Sequence, residues 1–458
     1  MPQRIIINPV TRISGFMEIQ ADVESNYIVD ARTKGLMFRG FEKMLIGRNP
    51  FDAVYFTERI CGICSTAHAM ASTMALENVM NITPSEQGRY LRDIIHGSEF
   101  LQNHLRHFYQ FTLPDFVKLP EDYPLFKSDQ NDYRLPPDIN DRMVRDYFES
   151  LVMSRDAHEM LAVLGGKAPH NHGVFIGGIT SPVTVDKIAH LSSLLYKIDR
   201  FIEEKMIPDV LDIAQYYPEY YHIGGGYGNL LSYGCFDNYK ELGTLYVDPL
   251  VYSNNTVTNF NPNEISQASD YAWFTETGEP DTRKPQAYSW IKAPRYDNLP
   301  FEVGPLARQW LSGEYTNGIS AMDRIIARAL EVKKIASIIK TLLQNLIPGV
   351  PMQEVYSVPV SGEGRGLIDT TRGALGHWVI IEDSRIAFYQ VISPSVWNLS
   401  SQTGDVKGTA EQSLIGTPIR NISDPVEIGR VIRSFDPCVS CSTHVFTEGK
   451  HLDPIRIV

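Results

Sequence analysis

Cysteine is scarce in this chain, with five in 458 residues, which is far too few for a disulfide framework. The thiols are better explained as reduced ligands. No stretch of about 18 uninterrupted apolar residues occurs, so the chain has no membrane span of its own. The apolar run near the N-terminus, Ile5 to Ile7, is too short for a secretory signal. The expected compartment is therefore the cytoplasm, or the far side of a membrane reached attached to something else. Basic runs are also missing and the net charge is −12, which argues against nucleic acid as a partner. There is no internal repeat, low-complexity tract or flexible linker.

What is present fits a soluble globular protein, with 43% hydrophobic and 21% charged residues. Residues 16–23 alternate, with Met17, Ile19, Ala21 and Val23 on one face, as a half-buried strand does. After Cys64 the pattern turns helical. Thr184 reads as an N-cap followed by Ile188, Leu191, Leu195, Ile198 and Ile202 at helical spacing until Pro208. A second long helix carries Ile325, Ala329, Val332, Ala336, Ile339 and Leu343 and ends before Pro348. Residues 89–109 and 141–164 are helical in pattern too. Residues 215–310, rich in Tyr, Asn, Gly and Pro, suggest loops and short strands, and 350–400 favours strands. The expected class is mainly α with peripheral β (α+β), a long-helix bundle core with short strands in one domain.

Four of the five cysteines form two Cys-x-x-Cys pairs, Cys61/Cys64 and Cys438/Cys441. Two intervening residues let both sulfurs reach one metal from a single turn, and two pairs supply four soft ligands. Small zinc modules place their pairs within about 20 residues of each other. Here 374 positions separate Cys64 from Cys438, which points to a buried site at the centre of a large domain. Spacing alone leaves a closed zinc staple and a catalytic centre both open. Arg59, His68 and His444 flank the thiols, and each can donate to sulfur or to a metal-bound ligand, which a bland staple has little need of.

The segments Arg-Ile-Cys-Gly-Ile-Cys at 59–64 and Asp-Pro-Cys-Val-Ser-Cys-Ser-Thr-His at 436–444 resemble the nickel-binding signatures of nickel–iron hydrogenase large subunits. Residues 38–42, 107–109, 288–296, 302–308, 372–378 and 394–398 match the same family in order, so the resemblance covers essentially the whole chain. It implies that Cys61 and Cys438 are terminal nickel ligands. Cys64 and Cys441 then bridge to an iron carrying cyanide and carbon monoxide. It further implies that Arg372 overhangs the metals, that Ser395, beside Pro394, donates to a cyanide, and that Asp436 lies in the outer shell of the arginine. His68 is expected near the same centre. Glu42, His444 and the Val391 carbonyl would hold a magnesium ion or similar hard cation near the C-terminus, whereas spacing alone would make Glu42 a surface carboxylate paired with Arg39. The expected domain is 1–444. The extension 445–458 would then be a maturation propeptide, removed in most relatives by a nickel-checking protease.

The chain also departs from the family. Ser14 stands where a proton-relaying glutamate is usual, so Ser14 with water, or a carboxylate such as Glu18, is the expected substitute. Asn103 replaces an aspartate, and Asp369-Thr370-Thr371 precedes Arg372 where Glu-Ala-Pro is common, so the loop holding Arg372 is expected to be more polar. Ile63 and Phe111 are bulkier than the usual Val and Leu of the gas channel. Cys235 reads as a buried structural thiol. The expected activity is interconversion of dihydrogen with protons and electrons. The electrons pass to a small subunit that carries all the iron–sulfur clusters, since no cysteine is left for one here. A hydrogen-sensing large subunit and a structural zinc protein are the alternatives. The quinone-site subunit of respiratory complex I, a homologue that has lost the cysteine pairs, is set aside because all four are present.

Overall fold

The alternating Met17, Ile19, Ala21 and Val23 form the buried face of strand Met17–Glu24, which pairs antiparallel with Gln3–Ile7 and Tyr27–Gly35. This is a computed structural model that describes residues 2–121, 130–275, 277–350 and 352–442. The first sheet leads directly into the centre of the molecule. Arg12 and Gly15 adopt positive φ, and Ser14 pairs with Cys438 as an isolated parallel bridge. A Cβ on Gly15 would lie 2.6 Å from the Ser440 nitrogen, so this approach requires glycine.

Long helices make the core, as the 3.6-residue spacing predicts. Glu86–Arg106 packs against Pro137–Gly165 and Ala321–Gln344, and Val185–Phe201 packs on the last two. The Thr184 hydroxyl accepts from the Lys187 N–H (3.3 Å), the cap expected from sequence. Pro208 does not end that helix, contrary to the reading of its pattern. A π-helical segment Ile202–Met206 follows, and Pro208 falls in the first turn of Ile207–Tyr216, where a missing N–H costs nothing. The tyrosine-rich region holds short strands, including Leu230–Cys235 and Ala293–Tyr296.

The α+β architecture is as expected, but one sheet lies inside it rather than on its outside. Strands Gly362–Thr370, Gly373–Glu382 and Arg385–Ile392 form an antiparallel meander, and most of the middle strand is buried. The first strand presses on helix Ser65–Met80, whose Ala, Ser and Thr residues let the backbones meet closely. A Cβ on Gly366 would fall 2.6 Å from the Ala75 nitrogen. Replacing Gly366 by alanine is expected to cost about 1–3 kcal/mol through overpacking, read as a lower denaturant midpoint. An unchanged midpoint would show that the helix can yield. The two-residue turn between the first two strands consists of Thr371 and Arg372.

Candidate metal centre

Four sulfurs converge at the middle of this frame. Cys61 lies after helix Asp52–Glu58, and Cys64 caps helix Ser65–Met80. Cys438 and Cys441 flank the start of the short helix Val439–Ser442. The Sγ atoms of Cys61 and Cys438 are 3.3 Å apart, those of Cys64 and Cys441 3.2 Å, and those of Cys438 and Cys441 2.9 Å. All four ligand atoms lie within 4.8 Å of one another, every one is buried, and none is in a disulfide. Each contact between the two halves joins one cysteine from each end of the chain.

Backbone hydrogen bonds tie the N-terminal segment to the second cysteine turn. Ser14 N–H donates to Pro437 C=O (3.1 Å), and Val439 N–H donates to Ser14 C=O (2.7 Å). The Ser14 hydroxyl is 3.3 Å from the Ser440 hydroxyl. Arg39 donates to the carbonyls of Arg59 (3.3 Å), Ile60 and Ser440 (2.6 Å), so one guanidinium clamps both turns. The sequence suggested Arg39 as an ion-pair partner of Glu42. Its carbonyl contacts replace that pairing.

Crowded sulfurs do not ionise independently. Contacts with Cys441, Cys61 and Cys64 hold the Cys438 thiol far below its ordinary range, and the Arg372 charge adds to this. Cys64 is pushed up by Cys438 and its neighbours, and Cys441 by burial and by Cys438. Buried sulfurs this close cannot all be thiolates unless a cation compensates them, and this is the condition a thiolate metal site meets.

Around the sulfurs lies a small cavity walled by Ala67, His68, Thr371, Arg372, Pro394 and Ser395. Arg372 Nε donates to Asp436 C=O (2.9 Å), Nη2 is 3.0 Å from Asp436 Oδ1, and buried Nη1 has no partner among the described residues. The Oδ1 contact has ion-pair distance but lies off the line of an N–H, so it is a charge contact rather than a hydrogen bond. Burial opposes the Arg372 charge, but Asp436 and the cysteine sulfurs outweigh it and keep the guanidinium firmly protonated. Asp436 also accepts from Asn103 Nδ2 (2.8 Å), so the asparagine stands inside this network without adding charge. Ser395 Oγ accepts from Cys438 N–H (2.9 Å), which leaves its own proton free to give. Burial lowers His68 to about 4, so the imidazole is neutral, with Nδ1 3.1 Å from His377 Nε2. His377 in turn meets Tyr389 (2.8 Å), a support the sequence did not reveal because His377 lies 309 positions away.

The second expected site is partly assembled. Glu42 Oε1 accepts from Val391 N–H (2.9 Å), and burial raises this carboxyl although Lys292 opposes the rise. N–H and C=O of one strand residue point to the same side, so the Val391 carbonyl lies on the strand edge that presents its N–H to Glu42. His444 and residues 445–458 lie outside the described residues. Phe111 packs against His107 (6.3 Å between rings), and its carbonyl accepts from Arg12. Glu18 is held on the first sheet by Lys34 (2.8 Å). Cys235 is buried and donates to Asp369 C=O (3.6 Å), the structural thiol expected.

Known proteins resemble this chain over its whole length. The sequence profile of the nickel-dependent hydrogenase family matches residues 39–123, 124–318 and 309–444. The periplasmic [NiFeSe] hydrogenase large subunit of Desulfomicrobium baculatum is 32% identical, over 96% of this chain and 95% of its own. The hydrogenase-2 large chain of Escherichia coli K12 is 28% identical over 100% of both. Among solved structures, the Ni-Fe-Se hydrogenase from D. vulgaris Hildenborough in the reduced state superposes with a TM-score of 0.93 at 35% identity, covering 97% of this chain and 100% of that one.

Proposed function

The chain belongs to the nickel-dependent hydrogenases as a large, catalytic subunit, and from that premise we propose how its residues divide the work. Cys61, Cys64, Cys438 and Cys441 would hold the metal pair, Cys61 and Cys438 as ligands of nickel alone and Cys64 and Cys441 as ligands shared with iron. The close pairing of Cys61 with Cys438 and of Cys64 with Cys441 supports this division. When bound, a nickel–iron pair with cyanide and carbon monoxide on the iron supplies the electron-rich site at which dihydrogen splits heterolytically. Arg372 presents its unpartnered Nη1 into the cavity, where a permanent charge in a dry site polarises the substrate. Asp436 fixes the fork of that guanidinium from behind. Ser395 accepts from Cys438 N–H, so its hydroxyl would donate a hydrogen bond to a cyanide on the iron. Pro394 begins the helix Pro394–Asn398 that carries Ser395, and His68 closes the wall as a neutral ring.

Glu42 and the Val391 carbonyl, with His444, would hold magnesium near the C-terminus, where the charge of Lys292 is close enough to act on Glu42. A tail 445–458 removed after metal insertion is consistent with that arrangement. One remaining cysteine cannot hold an iron–sulfur cluster, so electrons leave through a small subunit that contains the clusters. Among the described residues no helix is long and apolar enough to cross a membrane.

The observation that carries this reading is the convergence of four buried sulfurs from the two ends of the chain. Elemental analysis of the purified complex is expected to give nickel and iron in equal amounts, with infrared bands of metal-bound cyanide and carbon monoxide. Zinc alone, with no such bands, would sink it.

A further inference from the structure

Two buried carboxyls flank the turn that carries Cys61 and Cys64, and none of the interactions above uses them. Glu99, on helix Glu86–Arg106, accepts from the N–H groups of Thr66 (2.8 Å) and Ala67 (3.0 Å), in the first turn after Cys64. Glu58 ends the helix before Cys61 and is fully buried. Its Oε1 has no partner among the described residues, and its Oε2 is 3.5 Å from Arg59 Nη1, on a side chain 45% exposed. Leaving a buried carboxyl oxygen unpaired is costly, and proteins seldom tolerate it without a use. Polar groups continue outward from there. His170 N–H donates to Ser65 Oγ (2.9 Å), Asn171 Nδ2 donates to Thr66 Oγ1 (3.3 Å), and His170 Nδ1 is buried without a partner among the described residues. Lys167 and His172 beside them are exposed.

We propose that Glu99 and Glu58 form a proton exit that leaves the thiolate centre on the Cys64 side and reaches solvent beside Arg59, His170 and His172. It deepens the hydrogenase reading and rests on it. The route answers a gap in the chain: heterolysis of dihydrogen releases protons, and Ser14, where the family glutamate would stand, has no group that stores one. The groups acting on the pair suit transfer. Burial lifts Glu58 to about 8, against Arg59 and Lys167 and with help from Glu99. Burial lifts Glu99 to about 7, against the helix N–H groups and Arg372. Both carboxyls therefore exchange protons near neutrality. Each takes a proton on one oxygen and releases one from the other, so the pair is unchanged after every passage and no electron moves.

The test uses the metal-loaded complex with E58Q, E99Q and E58D. Wild type is expected to show a protonated-carboxyl infrared band at neutral pH that shifts in heavy water and is missing in E58Q. Exchange of D2 with water is expected to slow at least about tenfold in E58Q and in E99Q and to recover in E58D. Nickel, iron and the cyanide and carbon monoxide bands should stay as in wild type in all three. Wild-type exchange in both glutamine variants, or no protonated carboxyl assignable to Glu58 at neutral pH, overturns the route. Absence of nickel and iron from wild type overturns the metal assignment itself, a failure visible without any variant.

Discussion

Exchange of Arg372 for lysine is expected to lower hydrogen turnover about 100- to 1,000-fold while nickel and iron stay bound. The guanidinium has three jobs at once. Nε meets the Asp436 carbonyl, Nη2 meets its carboxylate, and Nη1 is left without a partner among the described residues, on a side chain that lines the cavity. A lysine keeps the charge, so Asp436 is not stranded, but a single ammonium cannot serve both Asp436 and the cavity. The loss therefore falls on the reacting centre and spares the fold. Turnover with an artificial electron acceptor should fall in kcat with KM nearly unchanged, the mark of a contact made only in the transition state. Infrared bands of the metal ligands should persist with small shifts. A lysine variant that turns over within a factor of a few of wild type would remove Arg372 from the chemistry.

Much of this centre was legible in the sequence because it rests on short-range pattern. Two residues between thiols define a chelating turn whatever surrounds it, and Thr184 or Met17–Val23 declare their elements through local periodicity. What escaped rests on contacts between distant segments. Arg39 is three positions from Glu42, which favoured a local pair, yet it bonds carbonyls at 59, 60 and 440. Ser14 drew attention for the side chain it lacks, whereas its main chain does the visible work by pairing with the second cysteine turn. Pro208 was taken as a stop because a proline cannot continue a regular helix. The π segment before it lets a fresh first turn accept the ring. Asp369 read only as added polarity in the arginine loop, because its partners Arg308 and Tyr233 are 61 and 136 positions away.

Those partners make the second large effect. Replacing Arg308 by methionine is expected to cost about 3–5 kcal/mol of stability at neutral pH. Arg308 is fully buried. It bonds both oxygens of Glu331 (2.7 Å each), Asp369 Oδ2 (3.1 Å), and the carbonyls of Thr370 (2.8 Å) and Thr371 (3.2 Å). It is thus the strut under the turn that aims Arg372. Burial alone would raise Glu331, and Arg308 is the main reason it sits at about 2 instead. His104 Nε2 (2.7 Å) and the Tyr246 hydroxyl (2.6 Å) also contact Glu331, but only Arg308 is certain to bring a full positive charge. Without it the raised pKa that burial dictates returns, and the sign of the pH dependence reverses. In wild type the Glu331 contribution is present above its unfolded pKa of about 4.3 and fades as pH falls toward 2. In the variant the folded state holds a proton that the unfolded state has released, so stability falls as pH rises above about 4.3. The deficit should therefore be smaller in denaturant titrations at pH 5 than at pH 8. Removing both charges, as Arg308→Met with Glu331→Leu, should restore part of the loss, because an absent pair costs less than a stranded carboxylate. A double variant no more stable than the single one would mean that the strut acts through the Thr370 and Thr371 carbonyls and not through charge.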